Sequence, residues 1–174
     1  MKLGDSAPMF MLPGVDGHDH VYGGDDEHPT VVIFTCNHCP YALAWEDRLM
    51  QVGRDYVHHG VRFLAINPND ATIKPADSFD EMKRRAVEKP WPFPYLRDES
   101  QETAAAYGAK TTPDVFVFDA DDRLVYRGAP DADYEDESLN AGWLREALDA
   151  VLAGNEPALQ ETTPVGCSVK WKPE

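Results

Sequence analysis

The chain has 174 residues, 31 acidic against 16 basic side chains for a formal net charge of −15, 43 % hydrophobic residues and three cysteines. At this length roughly 70 % of the unfolded surface can be buried on folding, so a single domain over 1–174 needs no disulfide or metal staples. Clustered Lys and Arg are missing, acids run together at Asp25-Asp26-Glu27 and from Asp131 to Glu137, no stretch nears the roughly 20 apolar residues of a membrane span, and the opening Met1 to Pro8 lacks a signal peptide's apolar run. These features exclude nucleic acid and membrane as partners and predict a cytoplasmic protein.

Residues 3–29 hold the turn signals Pro13-Gly14, Asp16-Gly17 and Gly23-Gly24 around short apolar pieces, which predicts an N-terminal β-hairpin extension over 1–29. Thr30 to Thr35 is a β-branched and aromatic run, the pattern of a strand buried on both faces, and it leads straight into Cys36. Tyr41, Trp45, Leu49, Val52 and Tyr56 recur every three or four residues with Glu46, Asp47, Arg48, Arg54 and Asp55 between them, an amphipathic helix ending at Gly60. Val61 to Ile66 reads as a second buried strand. Ser78 and Glu81 form a capping box for a helix through Val87, and Trp91 to Tyr95 is a stiff connector into a short strand. Ser100 to Tyr107 reads as a short helix. Val115 to Phe118 and Leu124 to Tyr126 flank the turn Asp119 to Asp122 as an antiparallel hairpin. Ser138 to Ala153 is expected to be the last helix, with Leu144, Leu148, Val151 and Leu152 on one side. Residues 155–174 form a tail without periodicity. Strand, helix, strand, hairpin and helix in this order define an α/β fold.

Cys36-Asn37-His38-Cys39 stands where a buried strand meets a helix. The free N–H groups and dipole of a helix N-terminus stabilise a thiolate, so Cys36 is expected to have a lowered pKa and act as nucleophile. Cys39, one turn further, can resolve a mixed disulfide, and Asn37, His38 and Pro40 tune the couple. A stabilised thiolate moves such a couple from the thioredoxin-like value of about −270 mV toward less negative potentials. Zinc commonly takes a second Cys/His pair, and the chain has no second Cys-x-x-Cys or Cys-x-x-His, so the site is expected to hold no metal and no cofactor. The alternative is a pair of inert core thiols. His18-Asp19-His20 reads as a solvated turn, His58-His59 as a helix end, and Trp45, Trp91, Trp143 and Trp171 as core or cover.

The strand, the Cys-x-x-Cys pair, the helix and then Thr112-Pro113 leading into Val115 to Phe118 resemble the thioredoxin fold, in which the loop before the third strand carries a cis-proline. Phe34 to Tyr41, Ala65 to Asp70, Pro92 to Asp98, Thr112 to Asp119, Tyr126 to Gly128 and Gly166 to Lys172, together with the opening Gly4 to Pro8, resemble bacterial redoxin-domain proteins of the alkyl-hydroperoxide-reductase/thiol-specific-antioxidant superfamily. The resemblance covers nearly the whole chain. It implies a central mixed sheet flanked by helices, with an insertion between Asn67 and Pro94. It also implies a cis Thr112–Pro113 bond against the disulfide, Thr112 docking an extended substrate, and a thiol–disulfide oxidoreductase or isomerase recycled by a thioredoxin-type reductant, as a monomer or weak homodimer. A thiol peroxidase is the alternative that the superfamily name carries, yet the segment His28 to Cys36 lacks the peroxidatic Pro-x-x-x-Thr-x-x-Cys motif. A soft-metal chaperone using Cys36, Cys39 and a histidine is the alternative from another class. Some relatives place a further cysteine where this chain has Thr111. Cys167 is either a third thiol, in a tail folded back and anchored by Trp171, or a packing residue.

Overall fold

The computed structural model describes residues 1–24 and 27–174, which leaves Asp25 and Asp26 of the first acidic run outside the described residues. Along the chain the elements are β1 (Phe10–Pro13), β2 (Asp19–Tyr22), β3 (Thr30–Phe34), α1 (Pro40–Tyr56), β4 (Arg62–Asn67), α2 (Phe79–Glu88), β5 (Tyr95–Arg97), α3 (Glu102–Tyr107), β6 (Thr111–Thr112), β7 (Asp114–Phe118), β8 (Leu124–Gly128), α4 (Gly142–Leu152) and β9 (Cys167–Ser168). One 3-10 turn follows α1, and another covers Pro75–Asp77.

The main sheet has the order β5-β4-β3-β7-β8. Strands β3, β4 and β5 run parallel and β7 pairs antiparallel with both β3 and β8, giving the mixed α/β sheet that the resemblance implies. Every residue of β3 is buried, because alternate side chains enter two cores. Val32, Phe34, Leu64, Ile66, Phe116 and Phe118 meet Phe10, Leu12 and Tyr22 of the hairpin and Tyr107 of α3. Val31, Ile33, Phe63, Val115 and Val117 meet Trp45, Leu49 and Val52 of α1 and Leu144 and Leu148 of α4. Each such large side chain contributes about 1.5–3 kcal/mol on burial, so the sheet is a rigid mount for the loop at the end of β3.

Three local expectations need correction, and the tail takes the packed of its two expected forms. The last helix begins at Gly142 rather than Ser138. The Asp136 carboxylate accepts the N–H and hydroxyl of Ser138 at 3.0 and 2.6 Å, and Ala141, at φ 62°, donates its N–H to Asp131 Oδ2 at 2.9 Å. Side-chain bonds of this kind hold the backbone out of the helix. On α4, Val151 is half-buried and Leu152 exposed. Glu46 is buried, not on a solvated face, and takes Arg85 Nη2 at 2.8 and 2.9 Å, tying α1 to α2. The tail is packed: Thr162 N–H donates to Arg127 O at 3.0 Å, and β9 pairs with β6.

Gly128 shows how closely the tail is seated. Its φ is 143°, and a Cβ there would lie 2.0 Å from Thr162 Oγ1 and 2.5 Å from Thr162 O. Gly128→Ala is expected to cost about 1–3 kcal/mol by overpacking and backbone strain, read as a lowered urea midpoint.

Candidate active site

Strand β3 delivers the chain to the site, and Thr35 N–H extends the pairing to Ile66 O at 2.8 Å. Cys39 is then the N-cap of α1, with Pro40 as the first helical residue, where its missing N–H is no loss. The turn brings Cys39 N–H to Cys36 Sγ at 3.4 Å. The loop before β7 faces the same sulfurs. Its Thr112–Pro113 bond is cis, Thr112 Oγ1 lies 3.4 Å from Cys36 Sγ, and Cys39 Sγ lies 3.3 Å from Thr112 O. Cys36 and Cys39 are 1 % and 0 % exposed, so both are covered in the reduced protein.

Asp77, which the sequence did not mark, holds the motif from the other side. Its carboxylate is fully buried at the end of the 3-10 turn in the insertion. Oδ1 accepts Asn37 N–H at 2.7 Å and Asn67 Nδ2 at 3.1 Å, and Oδ2 accepts Asn69 Nδ2 at 3.0 Å and bonds His38 Nδ1. Arg97, itself buried, donates Nη1 to Asp77 O at 3.0 Å, and Tyr95 hydroxyl donates to Asn37 Oδ1 at 2.8 Å. Because a carboxylate only accepts, His38 carries its proton on Nδ1, leaving buried Nε2 without a partner among the described residues. The one sequence signal for this network was Asn67-Pro68-Asn69 ending a buried strand, since buried amides require an acceptor.

Ligand atoms of Cys36, His38 and Asp77 lie within 4.8 Å of one another, close enough to hold one ion. Both Asp77 oxygens are already saturated by four donors, which suits a positioning carboxylate better than a ligand.

The helix start favours a Cys36 thiolate, and its surroundings oppose it in part. Contact with Cys39, burial and the negative charge of Asp77 push its thiol up, against the Thr112 hydroxyl. The carbonyl of Thr112 requires a proton on Cys39, whereas Cys36 faces the Cys39 N–H and the Thr112 hydroxyl, both donors. We therefore assign the charge of the singly ionised pair to Cys36 on hydrogen-bond geometry, with Asp77 opposing that ionisation.

Cys167 is brought to the pair, half-buried beside Cys36, Cys39 and Tyr41. Trp171, at 42 % exposure, does not anchor the tail. Val169 is buried, Lys170 N–H donates to Asn69 Oδ1 at 2.8 Å, and Gln101 Nε2 donates to Lys170 O at 2.8 Å. His18 is exposed, His20 bonds Asp16 within the hairpin, and His58-His59 close the turn after α1.

With this geometry in view, residues 3–127 match the AhpC/TSA family, and the chain belongs to that family. An uncharacterized conserved protein from Geobacillus kaustophilus shares 42 % identity at a TM-score of 0.94, with 99 % of this chain and 94 % of that one covered. A hypothetical protein from Sinorhizobium meliloti 1021 shares 34 % identity at 0.93, covering 100 % and 97 %. The fold, at 20 % identity and a TM-score of 0.54, is also that of a secreted Mycobacterium tuberculosis disulfide oxidoreductase homologous to E. coli DsbE, covering 66 % of this chain and 79 % of that one. No curated protein matches the chain. The architecture is thus that of a thioredoxin-like redoxin.

Asp77→Asn removes the negative charge that opposes Cys36 ionisation. The pH midpoint of Cys36 alkylation by iodoacetamide is expected to fall by about one unit, the usual effect of one nearby charge. An unchanged or raised midpoint would show that Asp77 acts on shape alone.

Proposed function

We propose that this protein is a thiol–disulfide oxidoreductase or isomerase whose redox couple is Cys36 and Cys39. One observation carries this: the two thiols meet at the N-terminus of α1 against the backbone and hydroxyl of Thr112, beside a cis-proline. The pair loses one proton as a unit. Cys36, facing the Thr112 hydroxyl and the Cys39 N–H, then attacks a substrate disulfide, and one substrate thiolate leaves. Cys39 displaces the second, which closes the Cys36–Cys39 disulfide and releases a reduced substrate. The net result is two electrons moved from the pair to the substrate, and a thioredoxin-type reductant restores the dithiol. His38, with Nδ1 held by Asp77, stands beside Cys36. The substrates are protein or small-molecule disulfides, and the low cysteine count supports a reducing, cytoplasmic setting. Tuning is assigned to Asn37 and His38 through their bonds to Asp77, and to Pro40 through the helix start.

Cys39→Ser removes the resolving thiol while leaving Cys36 in place. Incubated with a disulfide substrate, the variant is expected to accumulate a mixed disulfide at Cys36 at more than about tenfold the wild-type level, read by mass spectrometry of acid-quenched protein. If Cys36 captures no substrate but forms sulfenic acid with peroxide, the activity is peroxidatic instead.

A further inference from the structure

The feature left over by this mechanism is the tail. Strand β9 lies antiparallel on β6, with Cys167 opposite Thr112 and Ser168 opposite Thr111. In the proposed mechanism Thr112 is where an extended substrate chain would pair, so the protein lays its own cysteine-bearing strand along that edge. The seat is built for it. Gly166 packs so closely on the loop that a Cβ there would lie 2.3 Å from Thr112 O and 2.8 Å from Thr112 C. Beyond Cys167 the strand is fixed by Val169 N–H to Lys110 O at 3.2 Å, by Asp70 N–H to Lys170 O at 2.8 Å, and by Lys172 N–H to Gln101 Oε1 at 2.8 Å. The tail thereby packs Cys167 against the cluster of Cys36, Cys39 and Ala42.

We propose that Cys167 is a third redox thiol that takes over the disulfide from the active pair, converting Cys36–Cys39 into Cys39–Cys167. This rests on the oxidoreductase reading, which supplies the first disulfide. The Cys167 sulfur attacks Cys39, the Cys36–Cys39 bond breaks as Cys39–Cys167 forms, and the proton leaving Cys167 ends on Cys36. No external oxidant or reductant enters, because one disulfide replaces another. Cys36, as the sulfur released in the exchange, is the group that takes up that proton. The product leaves Cys36 reduced and the oxidation stored under the tail.

The full chain, oxidised with one equivalent of diamide, quenched in acid and digested without reduction, is mapped by mass spectrometry, with fragmentation to assign the linked cysteines. The wild type is expected to yield a Cys39–Cys167 linkage beside Cys36–Cys39, and Cys36→Ser is expected to yield Cys39–Cys167 alone. Gly166→Ala, which pushes the strand off its seat without touching a thiol, is expected to lower the ratio of Cys39–Cys167 to Cys36–Cys39 at least threefold. A wild type with Cys36–Cys39 but no Cys39–Cys167, a Cys36–Cys167 linkage in its place, or a ratio unmoved by Gly166→Ala overturns the relay and leaves the oxidoreductase reading standing. Absence of any Cys36–Cys39 linkage in both wild type and Cys167→Ser overturns that reading instead.

Discussion

A carboxylate removed from water is tolerable only when donors replace its hydration, and Asp77 meets that demand with the backbone of Asn37 and the side chains of His38, Asn67 and Asn69. Hydrogen bonds to a charged group contribute about 1.5–3 kcal/mol each, and leaving any of these donors unpaired in the interior costs a similar amount. The constraint runs in both directions. The Cys36–Cys39 loop cannot shift without orphaning Asp77, and the insertion cannot unfold without releasing the loop. Asn69 extends it further, since its Nδ2 serves Asp77 while its Oδ1 receives the tail through Lys170. Three stretches far apart in sequence are thus joined through the two side chains of Asp77 and Asn69, and the geometry at the sulfurs follows from that linkage.

The fold was legible because its signals are local and strong. The apolar run Thr30 to Thr35, the Ser78 capping box and the Asp119 to Asp122 turn each satisfy their own hydrogen bonds or bury their own faces, and each occurs where the sequence indicates, with Glu81 N–H on Ser78 Oγ at 3.1 Å. The start of α4 was misread for the opposite reason. Asp131 and Asp136, seen as a solvated acidic run, bind backbone N–H groups and hold Ser138 to Ala141 outside the helix. A carboxylate's choice between solvent and a backbone amide depends on tertiary packing, which one-dimensional patterning does not carry.

At the site the same division holds. The cysteine spacing and the Thr112-Pro113 pair mark positions in sequence that the fold brings within 3.4 Å. The opposition to Cys36 ionisation could not be read, since it comes from contact with Cys39, from burial and from Asp77, which lies 41 positions away in sequence. Trp171 misled by its size. The tail is held instead by Val169 and by backbone groups of Lys170 and Lys172, which have no signature in side-chain type.

If substrates dock along Thr112 as the proposed function has it, the β6–β9 pairing makes access to the sulfurs a competition between strands. A tethered segment presents itself at an effective concentration on the order of millimolar, so a partner chain must outbid a competitor that never diffuses away. Small disulfides that need no backbone pairing are exempt from that contest, whereas extended peptides enter it in full. Selectivity of this kind arises from occupancy rather than from a shaped pocket, and it depends on what displaces the tail as much as on what the thiols can reduce.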